Sequence, residues 1–292
     1  THKFSLSDDL YDAMKQFAKD KCITQNILFQ VVWGILLQKF NYTDDVVFGA
    51  VVSGRTTQVS GTENMVGLFV NTQPIRIQFD EQSTFESVCK NVQSTNFRSM
   101  PYEYYPLYDI QRDCALKNKL INHVIAFENY PLADKLQDFS SSANKGLKFE
   151  GVEAFERTNY DFHVVVNPGN TFGITFTYNE LLYCQDFIHT LERSIIKILQ
   201  EVMKNPRTQI NDICICSDYD KDKILNEFQM PAIPYCKDKN VVQLFREAVS
   251  KYGDKVALAW KEKEYTYKDV DRWSDHFVRK PVSYTHLTLP TI

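Results

Sequence analysis

Apolar residues at Leu10, Met14 and Phe17 recur at helical spacing behind Ser7, Asp8 and Asp9. That order predicts a helix start, with acids in the first turn where the helix dipole favours them. Thr24 caps a second helix, in which Ile27, Leu28, Val31, Val32, Ile35 and Leu36 form a broad apolar face that reads as buried. Asp44 and Asp45 close this unit, and the apolar run 46–52 predicts a buried strand. A polar loop over 53–64 leads to a second strand-like run over 67–79. Thr84 then opens a helix that carries Val88, Val92 and Phe97.

The middle of the chain is rich in strands. The segments 124–127, 147–152, 162–166 and 171–178 place β-branched and aromatic residues between turn signals. Pro168-Gly169-Asn170 joins the last two as a hairpin. An amphipathic helix over 183–204 is stopped by Asn205-Pro206. Interleaved strands and helices of this kind imply an α/β fold with helices packed on a sheet. After Ser217 the pattern changes to charged residues, with Pro231, Pro234 and a Lys-Asp-Lys run bracketing a connector. A helix over 241–252, two short strands and a helix from Asp269 to about Lys280 follow, so a domain boundary is expected within 215–238. The final segment, 281–292, breaks a helical pattern at Pro281. It resembles an in-frame translation of a DNA-library adapter, and is expected to stand outside the fold. The chain is expected to be a fragment at both ends.

Composition narrows the function classes. Lys plus Arg is 33 against 37 for Asp plus Glu, a net charge of −4, so no basic stripe supports nucleic-acid binding. No apolar run approaches the ~20 residues of a membrane span. At 292 residues the chain is long enough for about two domains. Seven scattered cysteines form no disulfide framework, and they suit a reducing cytoplasm. Cys214 and Cys216 alternate within Asp-Ile-Cys-Ile-Cys, a strand-like phrase that points both thiols into a core. With Cys236 standing alone, no soft ligand set for a metal is legible.

Searches for reaction chemistry return little. There is no Gly-rich phosphate loop, no nucleophile elbow and no paired-histidine zinc motif. The histidines are His2, His123, His163, His189, His276 and His286. His123 and His163 fall on expected strands, where satisfied histidines are common. Asp161 and His163 share one strand face, so an acid–base pair is geometrically open there, but no nucleophile stands beside it.

Two stretches carry more than pattern. Residues 45–77 read DVVFGAVVSGRTTQVSGTENMVGLFVNTQPIRI, and YYPLYDIQ at 104–111 precedes INHVIAFENYP at 121–131. The ordered phrases SGR, GLFVNT and FENYP resemble the C-terminal half of condensation domains of non-ribosomal peptide synthetases, over about 4–217. NVVQLFREAVSKYGDKVALAWKEKEYTYKDV resembles the opening of an adenylation domain, with Tyr265 and Val270 where Leu is more usual. The expected organisation is therefore a condensation lobe at 1–217, a linker at 218–238, the N-terminal edge of an adenylation domain at 239–280 and the adapter-derived tail at 281–292.

The resemblance implies a chloramphenicol-acetyltransferase-like lobe, a mixed sheet packed with helices. It implies amide-bond formation between carrier-tethered aminoacyl or peptidyl thioesters. The family's His-His-x-x-x-Asp-Gly motif belongs to the first lobe and does not occur in this sequence. No catalytic residue is therefore expected here, and the fragment is expected to be inactive alone. Arg55 resembles the family arginine that pairs with the motif's Asp across the lobe interface, a task that suits a planar guanidinium fork. A solvated loop arginine is the alternative. Asn71, Thr72 and Asn129 are candidate tunnel-lining or turn-stabilising residues. The implied partners are the first condensation lobe, peptidyl carrier domains bearing 4′-phosphopantetheine, and the rest of an adenylation domain using ATP with Mg. No cofactor, metal, nucleic acid or membrane is expected to bind this fragment. A free-standing CoA-dependent acyltransferase of the same fold and a non-catalytic carrier-docking module are the competing readings.

Overall fold

The computed structural model describes residues 1–55, 59–128, 158–229 and 238–279. The chain divides into two compact units, Thr1–Asn226 and a second beginning at Glu227. In the first, strands β1 (His2–Ser5), β2 (Asp45–Val52), β3 (Asn71–Gln78), β4 (His123–Phe127), β5 (Phe162–Pro168) and β6 (Phe172–Tyr178) form one mixed sheet. Its order is β1-β6-β5-β4-β2-β3, with β2, β4 and β5 mutually parallel and the other pairs antiparallel. The expected strand at 147–152 lies outside the described residues.

Helices α1 (Asp8–Lys21), α2 (Gln25–Asn41), α3 (Phe85–Ser99) and α5 (Gln185–Lys204) cover the sheet, and a short α4 (Leu107–Asp113) follows Pro106. The Thr24 hydroxyl accepts from the Ile27 amide, and Thr84 forms a reciprocal capping box with Ser87, so both expected helix starts are built by their caps. Helix α2 is the centre of the core. Residues from Ile27 to Leu36 are buried on every side, because α1, α3 and α5 flank it and the sheet lies beneath. Alternation within each strand sends Val46, Phe48, Ile75, Ile77, Val164, Val166, Phe172, Ile174 and Phe176 to these helices.

The phrase at 212–216 has the expected alternation but the opposite phase. Ile213 and Ile215 pack on the core, while Cys214 and Cys216 are half-buried outside any strand. Cys22 and Cys184 are exposed, and Cys89 is a buried thiol whose pKa is raised by desolvation. Beyond Ser217 the chain stays with the first unit through Asn226. Helix α6 (Asp218–Asp222) is capped by Ser217 and carries Asp220, which receives a fork of hydrogen bonds from Arg193 on α5 at 3.2 and 2.7 Å.

The second unit comprises α7 (Val241–Tyr252), the hairpin β7 (Val256–Trp260) with β8 (Lys263–Thr266), and α8 (Tyr267–Arg279). Thr266 and Asp269 bond reciprocally at the start of α8, so the Tyr-Thr-Tyr-Lys-Asp phrase is a strand end and a helix cap together. Val241, Val242, Leu258, Trp260 and Phe277 remain exposed, and α7 buries no residue.

Candidate functional site

Of the residues singled out in the sequence, Arg55, Asn71 and Thr72 lie at the β2–β3 end of the sheet. Gly54 leaves β2 with φ +64, a left-handed backbone that glycine adopts at little cost. The turn aims Arg55 back into its own loop. Its Nη1 donates to the Thr62 carbonyl and, at 3.0 Å, to the Met65 carbonyl, while the guanidinium lies 4.5 Å over the Phe69 ring. A planar cation makes both kinds of contact at once, bonding in its plane and stacking on its face. Arg55 thus braces the loop that runs from β2 to β3. Its aromatic partner, Phe69, carried no separate signal in the sequence beyond its place in GLFVNT.

That brace holds an apolar ridge in solvent. Val66 and Leu68 are 104% and 95% exposed, and Val59, Met65 and Val70 are exposed beside them in sequence. Single exposed apolar side chains are ordinary, but here a run of them falls on one loop. Tyr102, Tyr104, Tyr105 and Tyr108 are likewise exposed on the neighbouring segment.

Asn71 ties the two segments together. Its Nδ2 donates to the Glu103 and Tyr105 carbonyls, each at 2.8 Å, and its Oδ1 accepts from the Thr72 amide at 2.9 Å. Gln73, two residues on and therefore on the same strand face, adds a bond to the Glu103 carbonyl at 3.2 Å. Thr72 pairs with Val51 and points the opposite way, its methyl group filling the space over Gly49. The adjacent pair Asn71–Thr72 therefore serves two surfaces of the sheet. Asn129 lies outside the described residues.

A cavity of about 430 Å³ opens beside Asn71, between β2–β3 and α2–α3, lined in part by Gln30, Gln73, Asn96, Phe97, Met100 and Glu103. Asn96 donates to Gln30 at 2.9 Å and Gln30 to Asn26 at 3.2 Å, so the buried amide is satisfied. Partial burial raises the Glu103 carboxyl above its usual range. At the other candidate pair, Asp161 is exposed just before β5 and accepts from the Asn179 amide at 2.9 Å, while His163 is buried within the strand. The β2–β3 end thus offers amides, aromatic rings and a braced loop.

Comparison with known proteins agrees with this architecture. The condensation-domain model matches residues 1–225. Gramicidin S synthase 2 of Brevibacillus brevis is 37% identical over 277 residues, covering 95% of this chain and 6% of that protein. Surfactin synthase subunit 3 of Bacillus subtilis is 34% identical over 277 residues, covering 95% of this chain and 21% of that one. The chain thus spans only a small part of these curated relatives. Among solved structures, a four-domain nonribosomal peptide synthetase bound to AMP and glycine superposes with a TM-score of 0.69 at 18% identity, over 94% of this chain and 22% of that one. The first condensation domain of the calcium-dependent antibiotic synthetase gives 0.58 at 15% identity, over 73% of this chain and 47% of that one. At such identities these two structures speak for the fold, a mixed sheet with helices, while the family match speaks for descent. By that match the chain belongs to the condensation-domain family of non-ribosomal peptide synthetases.

Proposed function

We propose that this chain is the C-terminal lobe of a condensation domain followed by the first elements of an adenylation domain, and that it supports amide-bond formation in a larger synthetase. In that reaction the amine of one carrier-tethered aminoacyl group attacks the thioester carbonyl of another. The C–N bond forms, the C–S bond breaks, the amine gives up a proton and the carrier thiol leaves. The paired histidines that would assist the amine belong to a lobe outside this chain, so the residues here position and bind.

The observation that carries this reading is the Arg55-braced loop, which displays Val66, Leu68 and Val70 to solvent as an interface does before its partner arrives. The 47% coverage of a solved condensation domain supports a half-domain. Similarity to the curated relatives extends past the family match to 277 residues, which supports an adenylation edge at 239–280. So do the exposed apolar side chains of the second unit, among them Val241, Trp260 and Phe277. Phosphopantetheine would arrive on the carrier domains. ATP and Mg would be held by the remainder of the adenylation domain, since residues 239–280 contain no Gly-rich phosphate loop and supply no step of that chemistry.

The test is reconstitution. The chain is mixed with a separately expressed first lobe from the same parent gene, and complex formation and condensation of two loaded carrier domains are measured. A complex that condenses, beside a chain that is inert alone, is the expected result. Acyl transfer from acetyl-CoA by the chain alone would instead establish a free-standing acyltransferase. Binding of a carrier domain without condensation by the complex would establish a docking module.

A further inference from the structure

One cluster of ligating side chains stands at the opposite edge of the sheet, far from the β2–β3 loop. His2 on edge strand β1 brings Nε2 to 2.6 Å from Glu192 Oε2 on α5. His189 Nδ1, one helical turn earlier, lies 3.7 Å from the same oxygen. All three ligand atoms are within 4.8 Å of one another. The spacing His189-x-x-Glu192 puts both side chains on one helix face, and the strand supplies the third group from across the packing interface. The His2 ring is held against Phe4 and Phe176, with its edge contact to His189 at 4.7 Å. The side chains of His2, Glu192 and His189 are 18%, 24% and 39% exposed, so water reaches the cluster while much of each group is shielded.

We propose that His2, His189 and Glu192 bind a divalent transition-metal ion, zinc foremost, which pins β1 to α5. Two imidazole nitrogens and one carboxylate oxygen form a zinc ligand set with a fourth position left to water. Calcium and magnesium need more oxygen ligands than this single carboxylate supplies. With bonds of about 2.1 Å, tetrahedral ligand atoms stand about 3.4 Å apart. The separations of 2.6 and 3.7 Å lie on either side of that value, so side-chain shifts of about 1 Å admit the ion. Gln185 places its terminal amide 3.5 Å from His189 Nε2. With Nδ1 on the metal, Nε2 carries the proton, and the turned amide accepts it through its oxygen, orienting the ring as outer-shell partners do.

The experiment titrates zinc chloride into the 292-residue chain and into His189→Ala and Glu192→Gln, following heat by calorimetry and thermal unfolding in parallel. The expected result is one equivalent bound by the parent chain, a melting temperature that rises with zinc, and affinity at least about tenfold weaker in either variant. Histidine side-chain NMR of the unaltered chain reads the same site without mutation, with zinc shifting His2 and His189 and leaving His276 in place. Absence of binding, affinity in both variants equal to that of the parent chain, or shifts confined to other histidines would overturn the proposal.

Discussion

Trp33 and His123 meet through a single hydrogen bond in the core, the indole Nε1 donating to His123 Nε2 at 2.8 Å. That bond fixes the proton on Nδ1, which faces Asn122 Oδ1 at 2.6 Å. Burial disfavours the imidazolium and pushes the His123 pKa down from 6.5 to about 4. A histidine depressed in the folded state binds more protons when unfolded, between the two values. Its contribution is full above pH 6.5 and is lost as pH falls towards 4, by up to about 3 kcal/mol. Urea midpoints measured from pH 7 to pH 4 are expected to fall over this window. In His123→Gln, which keeps an acceptor for the indole, the fall should be much shallower. A parallel slope in the two proteins would mean that another group titrates.

Glu86 on α3 contributes in a lower window. Lys90 and Lys21 hold its carboxyl down at about 2, at 2.6 and 2.9 Å. Its share is present above the ordinary carboxylate range and is lost as pH falls from about 4.5 towards 2. Glu86→Gln should therefore leave the decline between pH 6.5 and 4.5 intact and soften the decline below it.

Two glycines in the β2–β3 loop separate strain from collision. Both have positive φ, +64 at Gly54 and +84 at Gly61. A Cβ at Gly61 meets nothing within 4 Å, whereas one at Gly54 would fall on the Phe69 carbonyl. Gly61→Ala should cost about 1 kcal/mol, the left-handed penalty alone. Gly54→Ala should cost at least about 1 kcal/mol more, because backbone on one side must move, carrying the Arg55–Phe69 stack with it. Denaturant unfolding of the two variants gives the difference directly. Equal costs would show that the loop relaxes freely around the added methyl group.

Asn71 offers a sharper test of the lacing between β3 and the segment at 103–105. Asn71→Ala removes two donors from the Glu103 and Tyr105 carbonyls and should destabilise the first unit by about 1–2 kcal/mol. Asn71→Asp should be worse, since a carboxylate then faces two carbonyl oxygens with no proton to offer. Were the aspartate variant as stable as the native protein, solvent would be satisfying those carbonyls instead.

What the sequence made legible divides along physical lines. Local signals transferred well: Thr24 and Thr84 cap helices where their spacing to apolar residues implied, and the apolar, β-branched and aromatic runs became β2, β5 and β6. Phase is harder than period. The isoleucines of Asp-Ile-Cys-Ile-Cys face the core and the cysteines do not, because the segment packs beside α5 rather than within the sheet, and alternation alone assigns no inside. Contacts between distant segments were invisible. Asn71 reaches the Glu103 and Tyr105 carbonyls across some thirty residues. His2, His189 and Glu192 meet only because β1 and α5 pack together. No motif spacing spans such a separation.

Helix α6 is held by another such long-range contact, made back to α5. Arg193 approaches Asp220 through Nε and Nη2, stacks 4.9 Å from Tyr219, and leaves Asp220 to accept from the Ser217 hydroxyl at 2.5 Å as well. These bonds hold the Asp220 carboxyl below its usual range. The docking they provide is full above that range and weakens as pH falls through it. Because the pair is partly exposed, at 30% and 19%, its two-bond geometry should be worth about 1 kcal/mol rather than the several of a buried pair. Asp220→Ala, Arg193→Ala and the double variant form a cycle whose coupling energy measures that value. The structural consequence is read separately. Freed from α5, residues 218–222 should exchange their amides faster, and trypsin should cut sooner at Lys221 and Lys223, while exchange in the α2 core stays unchanged. A cycle with no coupling and unaltered cleavage would mean that Ile213 and Ile215, packed on the core upstream, hold this turn without the ion pair.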